Sequence, residues 1–288
     1  MTIRLITGDT REVIKYIEEN SIDLIITSPP YADVKSYGKK VNIFHPNQYV
    51  DWLLPFFDEF YRVLKPSGNF ILNIDDRCYR KKRHIYVFDL VVRAERETKL
   101  LFYDYYIWYK RGGVLPNGGP KRLNHNTEFL LHFVKEINNF KFYMDRVREE
   151  YDEITKKRVK SSVKSYSVDK NGVRIVRDER MWKLNPKGKT PNNVFLFPTN
   201  ADNRKWKHPA PFHTSLPEWF IRALTDEGDT VLDPFVGSGT TAEVSVRMKR
   251  NFIGIDKNLE YIKMSKERLE ETSKLKPRYN NDLSYFFG

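Results

Sequence analysis

Apolar positions along the chain change period several times, and the changes lay out an α/β protein. Segment 2–7 (TIRLIT) reads as a short strand. Gly8-Asp9-Thr10 reads as a turn, with Thr10 capping a helix over 11–19. Segment 22–27 (IDLIIT) is a continuous apolar run, suited to a strand buried on both faces. Tyr49, Trp52, Leu53, Phe56, Phe57, Phe60 and Leu64 recur at helical spacing, with a kink predicted at Pro55. Lys65-Pro66-Ser67-Gly68 stops that helix, and 69–74 is the next strand. A helix over 84–97 and strands over 101–109 and 127–134 follow. The rhythm returns with helix 216–225, strand 229–233, helix 240–249, strand 252–255 and helix 258–273. Strands alternating with helices predict a doubly wound, mostly parallel sheet.

From about 140 to 200 the periodicity weakens and polarity rises, which predicts an inserted module. The expected divisions are 1–135, an insertion over 136–205, 206–274, and a tail over 275–288 whose aromatics dock on the core. Charge sharpens this division. The 288-residue chain carries a net +12, and residues 154–190 hold 12 Lys/Arg against Asp169, Asp178 and Glu179. A basic segment of this kind favours a polyanion, nucleic acid above all; a solvated lysine-rich surface is the plainer reading. The single cysteine, Cys78, excludes an internal disulfide or a cysteine zinc site, and no metal is expected. No apolar run approaches the roughly 20 residues that span a bilayer, and no signal peptide is visible. The expectation is a soluble cytoplasmic protein without membrane contact.

Two motifs carry the chemistry. Thr27-Ser28-Pro29-Pro30-Tyr31 ends the second strand, and Asp233-Pro234-Phe235-Val236-Gly237-Ser238-Gly239-Thr240-Thr241 links a strand to a helix. The second has a ligand-binding layout, with glycines that let the backbone approach a ligand. It lacks the Gly-Lys-Ser/Thr ending of a phosphate loop. Together the motifs resemble the catalytic and cofactor loops of the beta-class DNA amino-methyltransferases. Their order, catalytic loop first, resembles the circularly permuted Rossmann-like sheet of that class. The resemblance covers roughly 1–135 and 185–270 and is specific at the two motifs.

The resemblance implies S-adenosyl-L-methionine as cofactor, double-stranded DNA as substrate and a cognate restriction endonuclease as partner; it leaves oligomeric state open. It places Asp233, Pro234, Phe235, Gly237, Ser238, Gly239 and Thr240 around the methionine part, with Thr27 beside them. Asp256 would accept from the ribose hydroxyls, Asp9 would touch the adenine side, and Pro209 and Phe212 would close the pocket. An exocyclic amine is a poor nucleophile because its lone pair is delocalised into the ring. Ser28 Oγ and the Pro29 carbonyl can accept its N–H bonds; Pro29 lacks an N–H, so its carbonyl sits in a rigid turn, and with Pro30 completing the loop, Tyr31 can stack on a base rotated out of the duplex. Carbon-5 methylation needs a cysteine nucleophile, and Cys78 lacks a Pro-Cys context. The serine loop and the stretch 32–38 look like the cytosine-N4 type. Adenine N6 is the alternative, with an RNA methyltransferase or a silent DNA-binding protein behind it. The insertion would be the target-recognition region. Its Arg174, Arg177, Arg180, Trp182 and Lys183 would contact DNA, with Lys35 and Tyr37 from the catalytic side. Arg111-Gly112-Gly113 and Gly118-Gly119 suggest a loop that closes over DNA.

Overall fold

The computed structural model describes residues 1–30, 45–79, 81–110, 121, 123–160, 163–180, 184–197 and 212–272. Two compact units divide the chain: Met1–Phe142 with Asn193–Gly288, and Tyr143–Asn192. The separate unit is thus narrower than the insertion expected over 136–205.

The larger unit is built on an eight-stranded sheet, counted among the described residues. Its strands are β1 (Ile3–Thr7), β2 (Ile22–Thr27), β3 (Leu64–Ile74), β6 (Leu101–Tyr109), β7 (Thr127–Val134), β10 (Val194–Phe195), β11 (Thr230–Asp233) and β12 (Asn251–Asp256). A small hairpin, β4 (Cys78–Tyr79) and β5 (Lys82–Arg83), stands apart from it. The sheet order is β1-β12-β11-β2-β3-β7-β6-β10. Pairing is parallel from β1 through β3, antiparallel for β3–β7 and β7–β6, and parallel again for β6–β10. All six residues of β2 are buried, as its apolar run requires.

Helices α2 (Pro46–Leu53) and α3 (Pro55–Val63) divide at Pro55, which opens α3 where its missing N–H costs nothing. They bury Tyr49, Leu53, Phe57 and Phe60; the Phe57 ring lies 5.2 Å from both Phe70 and Phe133. Helix α4 (Tyr86–Glu97) adds Tyr86, Val87, Leu90 and Ala94 to this core. The later helices of this unit are α6 (Ser215–Leu224), α7 (Thr240–Arg247) and α8 (Leu259–Thr272).

Three local expectations are corrected. The first helix, α1, covers only Thr10–Val13 and passes into a 3-10 turn over Ile14–Tyr16. Its cap is Asp9, not Thr10: the Asp9 carboxylate accepts from the Arg11 N–H, and Thr10 is buried with its hydroxyl donating to the Pro234 carbonyl at 2.5 Å. Strand β3 begins at Leu64 rather than 69, because Leu64 already pairs with Ile22 across a bulge.

The unit Tyr143–Asn192 contains α5 (Glu153–Lys160) and a two-stranded antiparallel ribbon, β8 (Val163–Val168) and β9 (Arg174–Arg180). The ribbon tip is an Asx turn: Asp169 accepts from the N–H groups of Asn171 and Val173. Gly188 has φ +107°, and a Cβ there would meet the Glu149 carbonyl at 2.4 Å, so glycine is required.

Candidate active site

Strands β11 and β2 are neighbours from which the chain departs in opposite directions, β11 toward β12 and β2 toward β3. That is the switch point of a doubly wound sheet, where a crevice opens at the carboxyl ends of the strands. Both motifs emerge there. They are joined directly: the buried Thr27 hydroxyl donates to Asp233 Oδ1 at 2.6 Å.

Asp233 is a hub. Oδ1 also accepts from the Phe235 N–H at 3.1 Å, and Oδ2 accepts from the Thr241 hydroxyl at 2.6 Å. Burial nevertheless pushes its carboxyl up to about 6, against the lowering effect of these bonds. Asp256 closes the other side. It accepts from the Gly237 N–H at 3.0 Å and from the Asn258 N–H at 2.8 Å, and burial raises it to about 6 as well. Gly239 has φ +79°, and a Cβ there would meet Ser265 at 2.9 Å. Ser265 in turn donates to the Gly237 carbonyl at 2.7 Å, so α8 clamps the loop. Helix α7 starts at Thr240, so the positive end of its dipole faces the crevice.

The other expected residues fall into three groups. Ser28, Pro29 and Pro30 follow β2 at this edge, with Pro29 buried and Ser28 and Pro30 half-buried. In register Thr27 pairs with Leu72, so Ser28 leaves the sheet beside β3 on one hand and the Asp233 loop on the other. Pro234 and the buried Ser238 and Thr240 sit in the loop. Phe235 packs on Trp52 and Phe56, at 5.8 and 5.5 Å between ring centroids, which anchors the loop to α2 and α3. Phe212 is buried. Asp9 is beside this edge, since Gly8 N–H donates to the Asp256 carbonyl. Its carboxylate is engaged by Arg11 at 2.7 Å, which holds it down at about 2, and by Lys257 at 3.4 Å. Tyr31, Lys35, Tyr37, Trp182, Lys183, Pro209, the two diglycine stretches and the tail lie outside the described residues. Arg174 is exposed, and Arg177 and Arg180 lie on β9.

Sequence reasoning missed Thr10, Thr241 and Ser265, which brace the loop. The second Thr of the motif was a signal for Thr241. Ser265 had none, because only tertiary packing brings α8 to Gly239. It also missed a charged row beyond Ser28. Asn73 donates to Glu128 at 2.8 Å, Glu128 meets Lys110 at 2.5 Å, and His125 meets Asp75 at 2.6 Å, with Arg83 on Asp76. Asp75, Asp76 and His125 are close enough to share a cation. Lys110 and Arg83 already supply that charge, so the row reads as a self-neutralised support.

The donor set fits a sulfonium amino acid carrying an adenosine. A buried carboxylate, Asp233, and a half-buried one, Asp256, suit a cation and hydroxyls, and a helix N-terminus suits a carboxylate. An open depression lined by Thr2, Arg4, Tyr16 and Asn251 lies at the amino ends of the strands, on the opposite edge.

Comparison with known proteins agrees with this geometry. A family model described as DNA methylase, covering N6 and N4 methyltransferases, matches residues 22–267. Type II methyltransferase M.HpaI of Haemophilus parainfluenzae is 34% identical over 94% of this chain and 75% of its own length. DNA adenine methyltransferase YhdJ of Escherichia coli K12 is 30% identical over 97% of this chain and 90% of its own. The solved structure of PvuII DNA methyltransferase (cytosine-N4-specific) superposes with a TM-score of 0.70 at 25% identity, covering 93% of this chain and 86% of that one. M1.HpyAVI, solved as a complex with SAM, shares the fold with a TM-score of 0.59 at 23% identity, over 93% and 99% of the two chains. With its two loops meeting at the switch point of the sheet, this chain belongs to the N6/N4 DNA methylase family.

Proposed function

We propose that the chain is a site-specific DNA methyltransferase that methylates the N4 amino group of cytosine in double-stranded DNA, with S-adenosyl-L-methionine as donor. The observation that carries this reading is the Thr27–Asp233 hydrogen bond, which holds the amine-activating loop one strand from the cofactor loop. The cofactor supplies an electrophilic methyl group on sulfur. Asp256 would accept from the ribose hydroxyls, and the loop backbone with the start of α7 would receive the methionine end. Asp233 is a positioning residue: both its oxygens are committed to Thr27, Phe235 and Thr241. Ser28 Oγ and the Pro29 carbonyl accept the two N–H bonds of the target amine and turn its lone pair toward the methyl carbon. With that donor bound, the amine would take the methyl group by direct displacement at sulfur, and the Ser28 hydrogen bond would lead the surplus amine proton to water. Rate comes chiefly from positioning.

The basic unit Tyr143–Asn192 is the DNA-binding region in this reading, with Arg174, Arg177 and Arg180 of β9 contacting the duplex. The type II relatives support a partner endonuclease. Adenine N6 is the second reading, favoured by the similarity to YhdJ, whose name states adenine. Incubation with S-adenosylmethionine and unmethylated plasmid, then nucleoside mass spectrometry, decides between them. N4-methylcytosine is expected; N6-methyladenine would replace the base, and labelled tRNA with unlabelled plasmid would overturn the substrate class.

A further inference from the structure

A second basic stretch lies outside the inserted unit. Residues 77–88 hold Arg77, Arg80, Lys81, Lys82 and Arg83 and no Asp or Glu. They open with the hairpin of β4 and β5, in which Cys78 pairs with Arg83 and Tyr79 with Lys82. That register closes the hairpin in a tight turn that includes Lys81, at φ +66°. Tight turns ordinarily place Gly or Asn in left-handed backbone, so a charge stands where backbone ease would put a small residue. The base of the hairpin is bolted down. Arg83 is half-buried, pairs with the buried Asp76 and lies 3.2 Å from His125 Nδ1. The His84 N–H donates to the Arg77 carbonyl at 2.7 Å. The Tyr86 N–H donates to His84 Nδ1 at 3.1 Å, so His84 Nε2 donates to Asn47 Oδ1, at 2.7 Å, in the first turn of α2. Lys81 and Lys82, by contrast, are exposed. The hairpin also rises from the edge that carries Ser28. Strands β2 and β3 are parallel neighbours, about 4.8 Å apart, so their carboxyl ends share one edge. Thr27 pairs with Leu72, and β3 runs on past Leu72 to Ile74 before the hairpin begins.

We infer that this hairpin grips the sugar–phosphate backbone of DNA beside the target base, with the ammonium groups of Lys81 and Lys82 on phosphates. The inference rests on the DNA reading and adds to it a contact outside the inserted unit. A duplex whose base reaches Ser28 must carry its backbone across this edge, where the two lysines stand. Lysine meets a phosphate as a point charge, and such contacts position a duplex without reading its sequence. The hairpin is therefore a sequence-blind grip, and the recognition code lies elsewhere. Its fixed base suits that role: Arg83 and His84 are spent on Asp76 and Asn47, and the tip lysines are held at a set height above the sheet edge.

Lysine footprinting and salt titration of the full chain test this. Acetylation by an N-hydroxysuccinimide ester, read by peptide mass spectrometry, should be several-fold slower at Lys81 and Lys82 when a saturating unmethylated duplex is present. Lys249, exposed at the opposite edge just before β12, should label equally with and without DNA. Lys81→Gly combined with Lys82→Gln should lower the log–log salt slope of DNA binding by about 2 and raise the KM for DNA about tenfold, with kcat and cofactor affinity near wild type. Glycine accepts φ +66°, so the melting temperature should not fall. An unchanged slope, or equal labelling of Lys81 and Lys82 with and without DNA, overturns the proposal. So does protection by phosphatidylserine vesicles but not by the duplex. A wild type that binds no DNA removes the DNA reading and this proposal together. A wild type that binds DNA with a slope unaltered by the two substitutions removes this proposal alone.

Discussion

The glycine loop after β11 and the ribbon of the separate unit are built on opposite principles. In the loop every bracing group is buried and bonded: Asp233 to Thr27 and Thr241, Thr10 to the Pro234 carbonyl, Ser265 to the Gly237 carbonyl. Among the described residues the ribbon pairs only with itself. It is capped by a local turn, and it follows α5 with its exposed Lys156, Lys157 and Arg158. A site that holds a sulfonium methyl in line with an amine needs fixed atoms. A surface that holds phosphates needs charge in solvent, and tolerates motion. Damage to the first should therefore abolish function, and damage to the second should weaken it in a salt-dependent way.

The largest effect is expected for Asp233→Ala. It leaves two buried hydroxyls without their acceptor, at about 1–3 kcal/mol each, and unties the two loops. Calorimetry should show cofactor affinity falling about a hundredfold or more, and the melting temperature should drop. Gly239→Ala comes next. It forces a side chain into φ +79° and against Ser265, so cofactor binding should fall with stability, by about 1–3 kcal/mol in each. A ribbon lesion should behave differently. Replacing Arg174, Arg177 and Arg180 together by Ala should raise the KM for DNA and flatten the salt dependence by about 3 in log–log slope, leaving cofactor affinity unchanged. Loss of cofactor binding in that variant would break the division of labour.

The smallest effect is a titration. Burial raises Asp233 and Asp256 to about 6, above the ordinary carboxylate value. The folded protein therefore binds more protons than the unfolded chain between about pH 4 and 6, and these two groups make stability fall as pH rises through that window. A bound cation favours the ionised forms. Cofactor affinity should thus weaken several-fold from about pH 7.5 to about pH 5, and Asp256→Asn should blunt that dependence.

The same contrast explains what could be read from the sequence. The loop motif and the buried strand β2 were legible because their residue types are dictated locally: glycine by φ or close approach, apolar runs by burial on two faces. The Asp9 cap was misassigned to Thr10 because both residues suit a cap, and only the Pro234 contact shows that Thr10 is buried instead. Ser265 and the Asn73–Glu128–Lys110 row were invisible because their partners are far away in sequence. The basic segment showed its charge but not its form, since two strands of six and seven residues with mixed polarity lack the period that a half-buried strand would show.

The most direct test of the central claim, that Ser28 activates an amine beside a separately built cofactor loop, is made on Ser28→Ala. Cofactor binding and single-turnover methyl transfer to plasmid DNA would be measured on the same preparation. The account predicts wild-type cofactor affinity with transfer slowed about a hundredfold or more. Unimpaired transfer, or parallel loss of cofactor binding and transfer, would contradict it.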